Sequence, residues 1–237
     1  MASQPANDPE AALVASAPFS AEERAAVYRA IHTRRDVRDE FLPDELSEEA
    51  VMRLLDAAHH APSVGFMQPW NFLLIRDVAL RGAVHAAFER AAAAEEALLP
   101  PERRAPYRSL KLQGILKAPL NVCITCDRAR QGSTGLGRTQ QPEADLLSTA
   151  CAVQNFWLAA RAEGIGVGWV SILREQDLRE IFGIPPEIAI VAYLCVGRVA
   201  QSYARPELEI RQWAKRLPLE ELIFSDQWGK HANNSNG

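Results

Sequence analysis

Cysteine is scarce in this chain, with four residues among 237, too few to staple a protein of this length through disulfides. The only close pair is Cys123 and Cys126, in the apolar run 119–126. The Val, Ile and Thr residues of this run predict a β-strand, in which residues three apart point to opposite faces. We therefore interpret the two thiols as core side chains and expect no metal site.

The chain also has no excess of positive charge, because its 26 Lys and Arg residues are outnumbered by 30 Asp and Glu residues, which gives a net charge of -4. This excludes the broad positive field that sequence-independent nucleic-acid binding needs. Long apolar runs are missing too, because polar residues interrupt even the most apolar segment, 144–162, so no membrane span is expected. The first 18 residues lack the basic start and apolar stretch of a signal peptide. We expect a cytoplasmic protein with no nucleic-acid or membrane partner.

Apolar residues, by contrast, make up 48% of the chain, enough for one sizeable core. We expect a single domain over residues 19–228, between disordered tails at residues 1–18 and 229–237. Helical and strand patterns alternate, which predicts an α/β or α+β fold. Helices are predicted from a capping box at Ser20 and Glu23 to about Thr33, from Ser47 to before Pro62, and over residues 80–98, 102–117, 142–163 and 177–182. Strands are predicted over residues 71–75, 119–126, 167–170 and 188–196.

Two segments carry further expectations. The helix predicted over residues 142–163 is apolar nearly all round and should be buried on every side, either as the central core helix or as half of a subunit interface. The polar segment 128–141 contains Gly135 and Gly137 but no Gly-Lys-Ser/Thr ending, so a phosphate cradle is not indicated. We interpret it as a mobile loop that could serve as a lid.

Three short segments carry candidate chemistry. Residues 34–38 read Arg-Arg-Asp-Val-Arg, and guanidinium groups match a phosphate or the anionic edge of a reduced flavin. The loop 61–72 offers a hydroxyl and an amide for the polar edge of a heterocycle. The glycines of segment 164–171 allow a backbone to approach a flat ring closely. Each also has a plain structural interpretation: a solvated helix end, a helix-to-strand connection, and a helix C-cap followed by a strand.

Together and in this order, the three segments resemble the FMN-binding pattern of the nitroreductase family. The similarity extends from Phe19 to about Trp228 and includes Val196-Gly197-Arg198, which is similar to the late segment that helps hold the FMN phosphate. The resemblance implies an α+β fold with a mainly antiparallel central sheet flanked by helices. It also implies an intertwined homodimer with two FMN sites at the interface.

Two departures from ordinary members narrow the resemblance. Asp36 stands where a serine is common, and Gly65-Phe66-Met67 stands where an asparagine is usual. With Trp169-Val170-Ser171, these features resemble the subgroup that breaks its own reduced FMN with oxygen to form dimethylbenzimidazole, the lower ligand of cobalamin. Reduced FMN would then be substrate and cofactor at once, with O2 as co-substrate. Phe66 and Met67 would close the space that a nicotinamide needs, so NAD(P)H would act only indirectly, through a separate flavin reductase.

The resemblance also implies roles for individual residues. Arg34, Arg35 and Arg38 would anchor FMN, with Arg198 assisting at the phosphate. Asp36 would be the general acid/base, and Ser171 would place a hydroxyl near the flavin N5 edge. The remaining expected FMN contacts are Val37, Ser63, Met67, Gln68, Leu110 and Gly168.

Three other functions remain as alternatives, of which the first is the leading one and the last is disfavoured by the three flavin-like segments in their order. An NAD(P)H-dependent nitroreductase or flavin reductase would have the same fold and arginines. A non-catalytic FMN-binding protein needs only the glycines and arginines, and would return FMN intact. A structural dimer without ligand would ignore added FMN altogether.

Overall fold

The hydrophobic core is divided between the two faces of a four-stranded antiparallel sheet. A computed structural model describes residues 13–130, 132 and 136–231. The strands are β1 (Trp70–Ile75), β2 (Leu120–Asp127), β3 (Ile165–Trp169) and β4 (Ile188–Arg198), in the order β1-β2-β4-β3. The helices are α1 (Ala21–Thr33), α2 (Glu48–His59), α3 (Val78–Leu98), α4 (Pro101–Ser109), α5 (Ala144–Ala162), α6 (Glu175–Phe182) and α7 (Glu207–Ile210). The predicted α+β class with an antiparallel sheet is confirmed.

One face of the sheet packs against α2 and α5, where Leu54 and Phe156 are fully buried with Val122 of β2. The other face packs against α3 and α6, around Val84 and Cys123. Alternation along β2 separates these two sets of side chains. Cys126 lies on the α5 side, where it contacts Thr149, and Cys123 lies on the other. The predicted separation of the two cysteines is therefore confirmed, and both are free thiols.

Local sequence signals fix several element ends. The capping box at Ser20 and Glu23 is present in full at the start of α1. Ser47 caps α2 by accepting a hydrogen bond from the Ala50 N–H. Gly164 follows α5 with a φ of 71°, the left-handed conformation that ends helices and favours glycine.

The predicted helix over residues 102–117 is wrong in its second half, since α4 ends at Ser109. Leu110 has extended backbone angles, and the chain then turns into the core, where Ile115 is fully buried. At Gly114 a Cβ would lie 2.5 Å from both the carbonyl oxygen of Arg38 and a ring carbon of Phe41. Because a helix through this point could not make that close approach, tertiary packing overrides the helical pattern.

Within one chain the helix α5 is not buried on every side, so of the two predicted alternatives the subunit interface stays a prediction. Its inner face is buried, but Leu147 and Cys151 are exposed on the outer face. Most of the predicted tails and part of the loop 128–141, including Gly135, lie outside the described residues, while Phe224 and His231 form a β-bridge near the C-terminus. The single domain over residues 19–228 stays a prediction. Among the described residues, no helix is long and apolar enough to cross a membrane.

Candidate active site

The basic segment 34–38 leaves the end of α1 and runs along the free edge of β3. Asp36 forms a parallel β-bridge with Val167, and the Val37 N–H donates to the Val167 carbonyl oxygen over 3.0 Å. A Cβ at Gly168 would lie 1.9 Å from the Val37 carbonyl oxygen. The backbone that comes close to this glycine is therefore the chain's own. Gly168 allows the basic segment to lie against β3 and so places Asp36.

Both carboxylate oxygens of Asp36 accept hydrogen bonds. One accepts from the Trp169 N–H over 2.9 Å, and the other from an Nη of Arg38 over 2.6 Å. Burial raises the pKa of Asp36 above its ordinary value, although Arg38 and the Trp169 N–H oppose the shift. The side chain remains about 30% exposed. A carboxylate with a raised pKa, partly open to solvent, can take up a proton at a higher pH than an ordinary aspartate.

Asp36 lines a cavity of about 660 Å³ that is rich in charged side chains. Four arginines and two carboxylates line it: Arg34, Arg35, Arg38, Arg216, Asp36 and Glu207. We call it the arginine cavity. Burial lowers the pKa of Arg34, and the neighbouring charges of Arg35 and Arg216 add to the effect while Asp36 opposes it. Clustered like charges of this kind favour an anionic ligand, so the cavity fits the phosphate of FMN.

Each arginine of segment 34–38 is held differently. The guanidinium of Arg34 stacks 4.6 Å from the centroid of the Trp157 ring. Arg35 donates from Nε to the Tyr203 carbonyl oxygen over 3.0 Å. Arg38 lies between the carboxylates of Asp36 and Glu207. The segment after β4 therefore takes part in holding the basic segment in place.

Arg216 and Glu207 were missed by sequence reasoning. Glu207 is buried, in α7, and pairs with Arg38 across 169 positions of sequence. Arg216 reaches the arginine cavity from the segment that follows α7. Their only signal in the sequence is a group of charged residues in the apolar and aromatic C-terminal segment, which by itself indicates a solvated surface.

The loop between α2 and β1 is strained. Gly65, Phe66 and Gln68 have φ values of 60°, 52° and 46°, a conformation that non-glycine residues rarely adopt. The Ser63 hydroxyl oxygen accepts from the Gln68 N–H over 3.1 Å, and Arg130 donates to the Gln68 carbonyl oxygen over 2.7 Å. Backbone strain that persists only because its surroundings enforce it is common at functional sites.

Met67 is almost fully buried beneath this loop, whereas the Phe66 side chain is largely exposed. Only Phe66 of the two therefore presents apolar surface to the outside. Phe66 and Met67, which were predicted to close the space for a nicotinamide, are thus neighbours in this loop, but one is exposed and the other is buried.

The other predicted site residues do not line the arginine cavity. Ser171 is exposed and follows Trp169 by two residues, a span of about 7 Å at most. Leu110 lines a second cavity of about 550 Å³, together with Asp39 and Lys111. Arg198 is exposed and pairs with Ile165 at the opposite end of β3 from Trp169, about 13 Å along the strand.

The sequence matches a known protein family over more than half of its length. The family model described as the nitroreductase family matches residues 31–198. The chain belongs to the nitroreductase family. The match contains Asp36, the strained loop and β3, and it ends before Glu207 and Arg216. No three metal-ligating side chains of the described residues cluster as a metal site would require.

Curated relatives place the chain more finely. A 5,6-dimethylbenzimidazole synthase of Rhodospirillum rubrum is 46% identical over 185 residues, covering 78% of this chain and 87% of the relative. A 5,6-dimethylbenzimidazole synthase of Rhodobacter capsulatus is 38% identical over 202 residues, covering 85% of this chain and 97% of the relative. The predicted resemblance to this subgroup is confirmed.

Solved structures share the fold. A BluB-like flavoprotein of Clostridium difficile 630 has a TM-score of 0.63 at 20% identity, covering 85% of this chain and 99% of that one. An iodotyrosine deiodinase bound to FMN and 3-iodo-L-tyrosine has a TM-score of 0.63 at 20% identity, covering 76% of this chain and 94% of that one. FMN is therefore bound in structural neighbours of this fold.

Proposed function

We propose that this protein is a 5,6-dimethylbenzimidazole synthase, which uses O2 to fragment reduced FMN into the lower ligand of cobalamin. The observation that carries the proposal is Asp36, held between the Arg38 guanidinium and the Trp169 N–H at the edge of the arginine cavity. The chain that carries this Asp36 site is 46% identical to the 5,6-dimethylbenzimidazole synthase of Rhodospirillum rubrum. Bound reduced FMN would supply both the electrons for O2 and the carbon skeleton of the product.

The arginines of the cavity hold the anionic substrate. Arg34, Arg35, Arg38 and Arg216 bring four positive charges to the lining of the cavity, and fixed charges of this kind stabilise a phosphate and an anionic reduced ring. Stacking against Trp157 fixes the plane of the Arg34 guanidinium. Backbone carbonyls of the segment after β4 fix Arg35.

Asp36 accepts a proton during the reaction. Its two oxygens face hydrogen-bond donors, so the contacts fit the ionised carboxylate, and its raised pKa brings proton uptake closer to neutral pH. Ser171 lies two residues beyond Trp169 and supplies a hydroxyl that can donate or accept a hydrogen bond. Val37 and Gly168 set the position of Asp36 relative to β3.

The strained loop would contact the flavin ring. Ser63 and Gln68 would offer polar groups to the heterocycle, and Phe66 and Met67 would close the space that a nicotinamide needs. We therefore assign reduction of FMN to a separate flavin reductase, with the reaction taking place in the cytoplasm. Leu110 and Arg198, which lie away from the arginine cavity, would contact FMN across a subunit interface.

A homodimer explains the apolar surface of the chain. No residue of α1 is buried, and Val27 and Ile31 on that helix are more than 40% exposed. Leu147 on α5 and Trp228 in the C-terminal segment, the latter 92% exposed, are further exposed apolar side chains. We assign these side chains to the interface of the homodimer. Sedimentation velocity should give twice the mass of one chain, and a monomer at micromolar concentration would contradict the dimer.

The test is to mix the protein with photoreduced FMN without oxygen, admit air, and follow FMN and dimethylbenzimidazole by liquid chromatography with mass detection. We expect product to appear as FMN is lost. The variant Asp36→Asn should bind FMN and form no product. Quantitative recovery of FMN would instead indicate a flavin-binding protein, and steady NAD(P)H consumption with a nitroaromatic would indicate a nitroreductase.

A further inference from the structure

Beyond Asp36, the structure contains a row of ion pairs, buried at its centre, that links the acid/base site to the C-terminal segment. Arg38 donates from one Nη to Asp36 over 2.6 Å and from the other Nη to Glu207 over 3.4 Å. Glu207 accepts from the Arg211 Nε over 2.6 Å through its second oxygen. Negative and positive charges alternate along this row of ion pairs, from Asp36 through Arg38 and Glu207 to Arg211.

We propose that Glu207 is a positioning residue, which holds the Arg38 guanidinium beside Asp36 and lets the C-terminal segment set the charge balance at the acid/base site. The role in the reaction rests on the function proposed for Asp36. The positioning itself rests only on the contacts of the four side chains.

Because the centre of this row of ion pairs is buried, the row should respond strongly to the loss of a single charge. The Glu207 side chain is only 4% exposed and that of Arg38 12% exposed, so little water screens the charges. A planar guanidinium held at two of its nitrogens has a fixed orientation. Without Glu207, Arg38 would keep Asp36 as its only carboxylate partner among these groups and lose the contact that fixes its plane.

The expected effect on Asp36 has a definite sign. The charge of Glu207 repels the Asp36 carboxylate and so disfavours its ionised form. Removing the Glu207 charge should therefore lower the pKa of Asp36. Removing the Arg211 charge should raise it, because the negative charge of Glu207 is then no longer offset by Arg211.

Other charged or polar groups around Asp36 are the same in all variants. On its own segment these are Arg34 and Arg38, on β3 the Trp169 N–H, on β4 Cys195, and in the C-terminal segment Arg216. None of them would produce opposite shifts in the Glu207 and Arg211 variants.

The experiment follows the carboxyl signal of Asp36 by NMR in the full chain labelled with 13C-aspartate, with the signal assigned by its loss in Asp36→Asn. In Glu207→Gln, which keeps an acceptor for Arg38, the Asp36 titration should move to lower pH. In Arg211→Gln it should move to higher pH. Glu209→Gln is the matched control, because it removes the same charge from the same helix at a residue paired with Arg205 instead, and it should move nothing.

Product formation gives the second readout. If the function is as proposed, the acidic limb of the pH profile should move in the same directions as the NMR titration. Shifts in the NMR titration with no product from any form would retain the positioning role of Glu207 and overturn the proposed function. An Asp36 titration equal in Glu207→Gln, Arg211→Gln and the control would overturn the positioning role, whatever the activity.

Discussion

Replacing Gly168 with alanine tests how the basic segment is seated on β3. A Cβ at this position would lie 1.9 Å from the Val37 carbonyl oxygen, whereas carbon and oxygen atoms in close contact stand about 3.3 Å apart. Both groups belong to backbone, so neither can move away by a change of rotamer. Overpacking a core costs about 1–3 kcal/mol, and a backbone clash should lie at the upper end. Gly168 has no left-handed φ, so the cost is steric alone.

In a domain of this size about 3 kcal/mol corresponds to a fall in Tm of roughly 6–12 °C, measurable by calorimetry. Displacement of Val37 would also move Asp36 from the Trp169 N–H, and we expect product formation to fall by about tenfold or more. The matched control is Gly82→Ala in α3, where a Cβ meets nothing within 4 Å; it should raise stability by about 0.5–1 kcal/mol. A Gly168→Ala protein with unchanged Tm and rate would refute the reasoning.

Three further changes test the site and its surroundings. Arg216→Ala should weaken FMN binding about tenfold or more, since it removes a charged contact to the phosphate, while Arg205→Ala should leave binding unchanged in a fluorescence titration. Asp145→Asn should lower the free energy of unfolding by about 3 kcal/mol in urea, because Arg128 and Arg138 donate to this fully buried carboxylate; an unchanged unfolding midpoint would contradict this. Because the pKa of Asp36 is raised, product formation should fall on the acidic side at a pH above the range of an ordinary aspartate, and a limb within that range would argue against Asp36 as the base.

The raised pKa of Asp36 also fixes the sign of its effect on stability. Burial disfavours the ionised carboxylate in the folded protein, so the unfolded chain gives up this proton at a lower pH. The contribution of Asp36 to stability is therefore fully present below the unfolded pKa and is lost as pH rises through the folded pKa. Above that pH the site carries an ionised group that the fold disfavours, a cost common where pKa values are perturbed at functional sites.

Local patterns in the sequence were sufficient for most of the fold. The capping box at Ser20 and the glycine after α5 act within a few residues, and period-2 alternation separates Cys123 from Cys126 wherever β2 is placed. The end of α4 could not be predicted, because it depends on Phe41 and Arg38 closing over Gly114, more than seventy positions away in sequence.

The residues of the candidate site also divide into those with a local signal in the sequence and those without one. The segment 34–38 and the loop before β1 carry recognisable local motifs, so their residues could be proposed from the sequence. The role of Gly168 was open, because a glycine that admits a ligand and a glycine that admits the chain itself look alike in sequence. Glu207 and Arg216 had no local signal, since their meaning comes only from contacts with the basic segment.

The contacts between the basic segment 34–38 and residues 203–207 also imply an order of assembly for the site. Arg35 is held by carbonyl oxygens of Tyr203 and Ala204, and Arg38 by Glu207, so the basic segment has its full set of partners only after the chain beyond β4 has folded back. The sheet buries its own core without these contacts. A chain that ends shortly after Arg198 could therefore keep its antiparallel sheet, yet its arginines would lack the partners that orient them and its Asp36 would lose the balance of charges. The geometry around Asp36 thus involves residues that lie outside the part of the chain that the nitroreductase family model matches.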